Sequence, residues 1–148
     1  MRPVAKRFAA LVAVGGALAA LGETLIVNVD TEGPREGVIA ILVFKEKKGF
    51  PDGHEHSFRK DRFPVTPEGA ISCSITNLPR GVYAVSVLHD VNDNYKCDKL
   101  LGFGPPKEPV GVSNHEGRLR KNPKFKDALI TFGAESNTIA IATLFPLK

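Results

Sequence analysis

The most constraining feature of this sequence is a short alternating segment that runs directly into a series of acidic and amide side chains. Residues Val82 to Leu88 alternate larger apolar residues with small or polar ones, a period typical of a half-buried β-strand. Immediately after it, oxygen-bearing side chains occupy alternate positions, at Asp90, Asn92, Asn94 and, after Lys96, Asp98. A segment rich in Gly and Pro, residues 102–106, comes next and is expected to be a loop.

The rest of the chain repeats the same strand-and-turn pattern. Short apolar or alternating segments separated by turn residues predict further strands at residues 23–29, 38–45, 63–66, 70–76, 128–132 and 138–145, whereas residues 46–62 are predicted to be a long loop. The segment 38–45 is almost entirely apolar, so we expect a central strand covered on both faces. About seven strands without an amphipathic helix predict an all-β fold, a single antiparallel β-sandwich.

The N-terminal segment is typical of a secretory signal peptide. Residues 1–7 carry three basic residues and no acid, residues 8–21 are apolar, and small residues follow at the expected cleavage position. The apolar run is shorter than the roughly 20 residues that span a bilayer, although an uncleaved anchor is the alternative. We therefore predict a signal peptide at residues 1–22, a β-sandwich domain at residues 23–148 and no stable membrane span after cleavage.

The charge of the predicted mature domain does not indicate a nucleic-acid partner. The chain has 20 Lys and Arg against 16 Asp and Glu, but three of those basic residues lie in the signal segment. The remainder is close to neutral and shows no basic face of the kind that binds nucleic acid. Together with the export signal, this balance predicts a periplasmic or secreted protein whose partner is an envelope protein or a glycan.

Two cysteines are present, Cys73 and Cys97. An oxidising compartment would permit a disulfide between them. Both positions also look apolar, Cys73 because it lies between Ile71 and Ile75 on one face of a predicted strand. Sequence does not give the distance between the two backbones, so a disulfide and two buried thiols remain open alternatives.

The alternating carboxylates and amides are the strongest candidate binding site. Oxygen ligands at alternate positions of a tight loop are what a hard cation such as Ca²⁺ requires, and Lys96 would contribute its backbone carbonyl. With Asp90 as position 1, position 12 is Leu101 rather than the bidentate Glu of an EF-hand, so Asp93 or Glu108 would supply the missing acid. We predict a Ca²⁺ site formed by Asp90, Asn92, Asn94, Lys96 and Asp98, with affinity of about 10⁻⁴ to 10⁻³ M. The alternative is that these residues only form hydrogen-bonded turns.

Histidines give a second, weaker hypothesis. His54 and His56 would point the same way in an extended segment and could hold a transition metal together with His89 or His115. His89 beside Asp90 could also form an acid/base pair in a small enzyme. No nucleophile with a placed base is evident, because Ser113-Asn114-His115 is not such a motif. We therefore predict that the protein is not an enzyme.

Two motifs carry a resemblance to known families. The segment from Leu78 to Val85, Leu-Pro-Arg-Gly-Val-Tyr-Ala-Val, resembles the turn and strand of transthyretin-like and collagen-binding-B-like sandwich domains. The continuation from His89 to Asp98, and then Gly102 to Asn114, is similar to a bacterial family of secreted domains known as domain of unknown function 2141. Pro123, Phe125 and Ala128 match a further element of that family.

The resemblance extends from about Leu25 to Phe145 and implies a signal-bearing β-sandwich, transthyretin-like or Ig-like, of unassigned function. One departure concerns the candidate site, because the family usually has Gly where this chain has Tyr95. The sharp turn of a cation loop favours Gly there, so Tyr95 must adopt that backbone at some cost or the loop differs. A second departure is Pro109-Val110-Gly111, near which the family often has Gly-Tyr-Gly.

Taken together, these observations predict an exported Ca²⁺-stabilised binding or interaction module at the cell envelope. The alternative is a periplasmic transition-metal-binding protein, or a small enzyme, that uses His89 with His54 and His56.

Overall fold

A computed structural model describes residues 22–133 and 137–146. In these ranges the chain forms eight strands: β1 Glu23–Thr31, β2 Val38–Phe44, β3 Arg59–Pro64, β4 Ala70–Leu78, β5 Gly81–Asp90, β6 Val110–Val112, β7 Leu129–Phe132 and β8 Thr138–Thr143. Three single-turn 3₁₀ helices, His54–His56, Leu100–Gly102 and Phe125–Asp127, lie in the connections. The described residues include no α-helix, and the predicted all-β fold is confirmed.

Nearly all of the predicted signal peptide lies outside the part of the chain that the structure describes. Residues 1–21 are not described, and the structure begins at Gly22. Within the described ranges, no helix has the length and apolar character needed to cross a bilayer.

The strands form two sheets. The first has three strands in the order β4-β1-β8, and the second has the order β3-β2-β5-β6, with β7 also paired to β5. Strand β5 is long enough to take two partners, because β7 pairs with its residues 81–84 and β6 with residues 86–88. All pairings are antiparallel except that of β1 with β8, which is parallel and brings the last strand of the domain beside the first.

The main core lies between the two sheets. Inward residues at every second position along much of β1, β2, β4 and β5 are almost completely buried, as the alternation predicts. From the three-stranded sheet these include Val27 and Ile75, and from the five-stranded sheet Ile41 and Val85. Tyr83 is also buried, and its hydroxyl donates a hydrogen bond to the carbonyl of Pro79, which satisfies the polar end of the ring.

The five-stranded sheet is covered on its outer face as well. Strand β2 is buried along six of its seven residues, so the prediction of a central strand covered on both faces is confirmed. The cover comes from the β2–β3 connection and from the long connections around β6. Ala84, Val112, Leu119 and Ala128 form a second, smaller apolar cluster there, against which Phe50 and Phe125 pack.

Two strands lie where the sequence signals are weaker. Strand β3 begins at Arg59, inside the segment predicted to be a loop, because its polar residues sit at the edge of the sheet and need little burial. Strand β6 is three residues long and lies in the segment with Pro105, Pro106 and Pro109. Its short length leaves little periodicity to detect.

The two cysteines are free thiols. Cys73 lies in the core between the sheets, whereas Cys97 lies in the connection that covers the outer face of the five-stranded sheet. The two thiols are therefore on opposite sides of that sheet and are not joined; Cys73 is fully buried, whereas Cys97 is only partly buried. Burial raises the pKa of each to about 12.

Candidate functional site

The Asp/Asn loop, residues 90–98, begins at the last residue of β5. Asp90 is fully buried, and its two carboxylate oxygens accept hydrogen bonds from the backbone N–H groups of Asn94 and Tyr95, at 3.0 and 2.9 Å. This is the arrangement by which Asp closes a tight turn on its own backbone. Asp90 therefore fixes the path of the loop as it leaves the sheet.

Arg62 on β3 provides the positive charge next to this carboxylate. Its guanidinium lies 3.0 Å from Asp90 Oδ2 and also pairs with Asp93. Its plane lies over the ring of Tyr95, 3.9 Å from the ring centre, so one cation holds three residues of the loop. Burial lowers the pKa of Arg62, but the hydrogen bonds and charges of Asp90 and Asp93 together outweigh it and raise the pKa.

A second cluster joins the middle of the loop to its end. The side-chain amides of Asn92 and Asn94 both donate to the carboxylate of Asp98, at 2.8 and 3.0 Å, and these hydrogen bonds lower the pKa of Asp98. The oxygen of the Asn94 side chain accepts the N–H of Lys96. Three of the predicted ligand side chains therefore converge on one point, while Asp90 turns toward Arg62 and the backbone.

Glu108 closes the loop from outside. One of its oxygens accepts the N–H of Val91 at 2.9 Å, and the other accepts the N–H of Asp98 at 3.2 Å. The two ends of the loop are therefore bound to one carboxylate, which is only 6% exposed. Desolvation raises the pKa of Glu108 despite the two hydrogen bonds.

The loop thus brings together many oxygens, most of which already accept hydrogen bonds. Within residues 22–133 and 137–146, no three or more His, Cys, Asp and Glu side chains are grouped as metal ligands. A Ca²⁺ ion would be held by Asp98 together with the amide oxygens of Asn92 and Asn94, after rotation of the two amide groups. Asp93, one of the two acids proposed to complete the site, pairs with Arg62, and Glu108, the other, binds backbone.

A cleft lies directly beyond this loop, on the outer face of the five-stranded sheet. Its volume is about 480 Å³, within the range of small-molecule sites. The floor consists of outward side chains of three strands, and the wall is the segment that continues from the Asp/Asn loop. Floor residues are Ala40, Leu42, Ser86, Leu88, Val110 and Val112, and wall residues include Cys97, Phe103, Pro105 and Pro106.

The family model described as "Uncharacterized protein conserved in bacteria (DUF2141)" matches residues 27–140, which include every strand of the five-stranded sheet and the whole Asp/Asn loop. The chain belongs to the DUF2141 family. Neither the comparison with curated proteins nor that with solved structures gives a match.

Tyr95 shows how this DUF2141 chain accommodates its departure from the family pattern. Its φ is +65°, in the left-handed region that Gly adopts without strain. Tyr95 therefore adopts the left-handed backbone conformation, and the folded domain bears the free-energy cost of that conformation. The stacking of the Arg62 guanidinium on the Tyr95 ring offsets part of that cost, since a cation–π contact at an exposed site contributes about 0.5–1 kcal/mol.

The histidines do not form one group in this DUF2141 structure. His89 is completely buried, with Nε2 donating to the carbonyl of Glu36 at 2.7 Å and Nδ1 lying 2.8 Å from the Thr31 hydroxyl. It therefore joins the two sheets rather than facing a ligand. His54 and His56 lie in the 3₁₀ turn after β2, where His56 pairs with Glu55, and His115 contacts the carbonyl of Arg118.

Sequence reasoning missed the cleft, although two signals were present. Every residue of β2 is apolar, which requires cover on both faces, but the cover comes from irregular segments whose fit no periodicity describes. Four prolines between residues 105 and 123 keep those segments extended over the sheet. An apolar outer face under a proline-rich connection was the available indication of a cleft.

Proposed function

We propose that this domain is an exported binding module of the cell envelope, in which Ca²⁺ at the Asp/Asn loop stabilises the wall of a ligand-binding cleft. The observation that carries the proposal is the continuity of the two features. The loop ends at Asp98, and the wall of the cleft includes Cys97, Lys99 and the segment from Phe103 to Pro106. Anything that orders the loop therefore also orders the wall.

The connection between loop and wall is made by hydrogen bonds as well as by sequence. The N–H of Lys107 donates to the carbonyl of Asp98 at 2.8 Å, and the N–H of Leu100 donates to the carbonyl of Pro105 at 3.0 Å. These bonds close the wall segment into a hairpin whose base is the end of the Asp/Asn loop. Glu108, which follows the returning strand of that hairpin, binds both ends of the loop.

Charge supports a cation at this loop. Four acids, Asp90, Asp93, Asp98 and Glu108, lie on or against it, and the bases near them are three: Arg62, which pairs with the first two, and Lys96 and Lys107, whose charges act on Asp98. Asp98 and the two Asn side chains are partly or fully exposed, so a cation could reach them from solvent. A site with one free carboxylate is expected to bind weakly, as extracellular Ca²⁺ modules do, at about 10⁻⁴ to 10⁻³ M.

Thermal unfolding of the protein in excess EDTA and then in Ca²⁺ tests the proposal. A ligand that binds only the native state at 100 times its dissociation constant adds about 2.7 kcal/mol to the free energy of unfolding. We expect Ca²⁺ to raise the midpoint of the unmodified protein and Asp98→Asn to abolish that rise. Asp30→Asn, which removes an exposed carboxylate on β1, is the matched control and should keep the full response.

Asp98 is a better test position than Asp90. Asp90 is buried and holds backbone N–H groups, so its removal would destabilise the domain whether or not Ca²⁺ binds. If Ca²⁺ left the unfolding midpoint of the unmodified protein unchanged, the Asp/Asn loop would be only a hydrogen-bonded turn. The cleft would then have to be ordered by Glu108 and Arg62 without a metal.

A further inference from the structure

The cleft combines an apolar floor with an unbalanced positive rim. Of the charged residues that line it, Lys99, Arg120 and Lys121 are basic and Asp52 is the only acid. Lys99 is paired with Asp52 at 2.5 Å. Arg120 and Lys121 are exposed and form no salt bridge with any described residue. The rim therefore has two unneutralised positive charges next to an apolar cavity.

The polar groups of the floor are already satisfied. The Ser86 hydroxyl donates to the carbonyl of Pro51 at 2.5 Å. Cys97, a free thiol, also lines the cleft and behaves as a small apolar side chain. A ligand on this floor would meet mainly aliphatic side chains and prolines, while the uncharged hydrogen-bonding side chains His54 and Asn122 also line the cleft.

Phe103 adds apolar contact area at the mouth of the cleft. It lines the cleft and is 85% exposed, although a large aromatic ring is normally placed out of water. Leu101, two residues earlier in the chain, is 80% exposed and adopts a φ of +55°, in the left-handed region that a leucine rarely occupies. Exposed apolar residues beside a cavity are typical of a surface that contacts a ligand.

From these observations we infer that the cleft binds a small anionic amphiphile, with an aliphatic or aromatic body on the floor and an acidic group at Arg120 and Lys121. An extended peptide fits less well, because each buried amide would need a hydrogen-bond partner that the floor does not offer. The neighbouring edge of β5 is also closed, since it pairs with both β6 and β7. This inference names the ligand of the cleft in the proposed function but does not depend on Ca²⁺.

Isothermal titration of the full chain with sodium dodecanoate, below its micelle concentration and in EDTA, tests the inference. We expect saturable binding at one site. The affinity should fall by about fourfold for each methylene removed from the chain, which titrations with decanoate and octanoate would measure. The charge-reversal variant Arg120→Glu/Lys121→Glu should bind dodecanoate at least about tenfold more weakly, because attraction at two positions becomes repulsion. Dodecyltrimethylammonium, which has the same chain and the opposite charge, should bind the unmodified protein poorly.

Lys47→Glu/Lys48→Glu is the matched control. It makes the same change in net charge at two adjacent exposed residues that do not line the cleft, so it should leave dodecanoate binding unchanged. All variants carry the same apolar N-terminal segment, so dodecanoate that bound to this segment would bind all of them equally. Equal binding of dodecanoate to all variants would overturn the inference. Equal loss of binding in the two charge-reversal variants would overturn it as well.

The remaining outcomes separate a free amphiphile from other occupants. Binding to phosphatidylglycerol vesicles without binding to dodecanoate would make the exposed Leu101 and Phe103 a membrane contact and would refute the cleft site. Tight binding of the cationic amphiphile would show that the rim charges play no part, which also contradicts the inference. Because the titration is done in EDTA, a failure here leaves the Ca²⁺ response of the unfolding midpoint as an independent test of the proposed function.

Discussion

The two faces of the five-stranded sheet use the same strands for different purposes. On the inner face, Ile39, Ile41 and Val43 of β2 pack against the three-stranded sheet and are completely buried. On the outer face, the alternate residues of the same strand face irregular connections. The difference shows that a regular sheet can close one face completely, whereas loops close the other only in part and leave a cavity.

The outer face is itself divided along its length. At one end, Arg62 and Asp90 form an ion pair under the Asp/Asn loop. In the middle, Ala40 and Leu42 form part of the cleft floor. At the far end, Phe44 contacts Phe50 edge to face, 5.4 Å between ring centres, next to the second apolar cluster. A polar anchor and an apolar anchor therefore hold the connections at the two ends and leave the space between them open.

The largest expected effect compares adjacent residues on opposite faces of β2. Ile41→Ala should lower the free energy of unfolding by about 3–5 kcal/mol, because it leaves a cavity in a closed core. Leu42→Ala should lower the free energy of unfolding by about 2 kcal/mol. This is the loss of apolar burial without the added cost of a new cavity, because the Leu42 side chain already borders the cleft. Urea unfolding of the two variants measures both values.

Ligand binding should show the opposite order. Leu42→Ala removes part of the cleft floor and should weaken dodecanoate binding, whereas Ile41→Ala should leave it unchanged at temperatures where the variant is folded. Equal costs of unfolding for the two variants would mean that the outer face is as closed as the inner face. The cleft depends on the outer face being less completely closed than the inner face, and that difference would then be absent.

The next effect concerns the ion pair at the end of the outer face. Arg62→Gln leaves the buried Asp90 carboxylate without its cation and should cost about 2–3 kcal/mol of unfolding free energy in EDTA. This is below the roughly 3–5 kcal/mol of a fully buried pair because Arg62 is partly exposed and two backbone N–H groups still bind Asp90. Urea unfolding in EDTA checks the value.

The same variant should respond more strongly to Ca²⁺. Removal of Arg62 frees the exposed Asp93 for a cation and leaves the charge of Asp90 uncompensated beside it, so Ca²⁺ should restore part of the lost stability. Arg59→Gln, which removes a guanidinium paired with Asp61 on the same strand, is the control and should not gain a larger response. A smaller Ca²⁺ response in Arg62→Gln than in the unmodified protein would show that Arg62 supports the cation site rather than competing with it.

The sequence predicted the inner face better than the outer face, for a physical reason. Alternation along a strand reports which side chains meet a flat partner, and it placed Cys73 and Ile75 on one apolar face of a strand, where the structure buries both. The outer face depends on loops whose packing is set by individual contacts, such as Phe50 on Phe125 at 5.8 Å. Such contacts have no sequence period, and for this reason the cleft and its two free rim cations were not predicted.

The Asp/Asn loop was predicted in position but only partly in structure. Hydrogen bonds join Asn92, Asn94 and Asp98, which the alternate spacing had grouped, and Tyr95 takes the left-handed backbone, one of the two alternatives left open for it. The partner of Asp90 was not predictable, because Arg62 lies 28 residues earlier and reaches the loop only through the pairing of β3 with β2. Long-range pairing of this kind depends on register, which is fixed by the whole sheet.

The smallest expected effect distinguishes the carboxylates of Asp98 and Glu108, because their pKa values are shifted in opposite directions. Hydrogen bonds from Asn94 and Asn92 lower the pKa of Asp98 below 3.8 in the folded state, so its stabilisation is present above that value and is lost as the pH falls through the folded pKa. Desolvation raises the pKa of Glu108 above 4.5, so its contribution is greatest below that value and declines as the pH rises through the folded pKa. Urea unfolding from about pH 3 to about pH 7 in EDTA should therefore show the advantage of the unmodified protein over Asp98→Asn growing with pH, and its advantage over Glu108→Gln shrinking. If both advantages changed with pH in the same direction, Asp98 and Glu108 would have similar environments. Nothing would then favour the binding of the cation at Asp98 over Glu108.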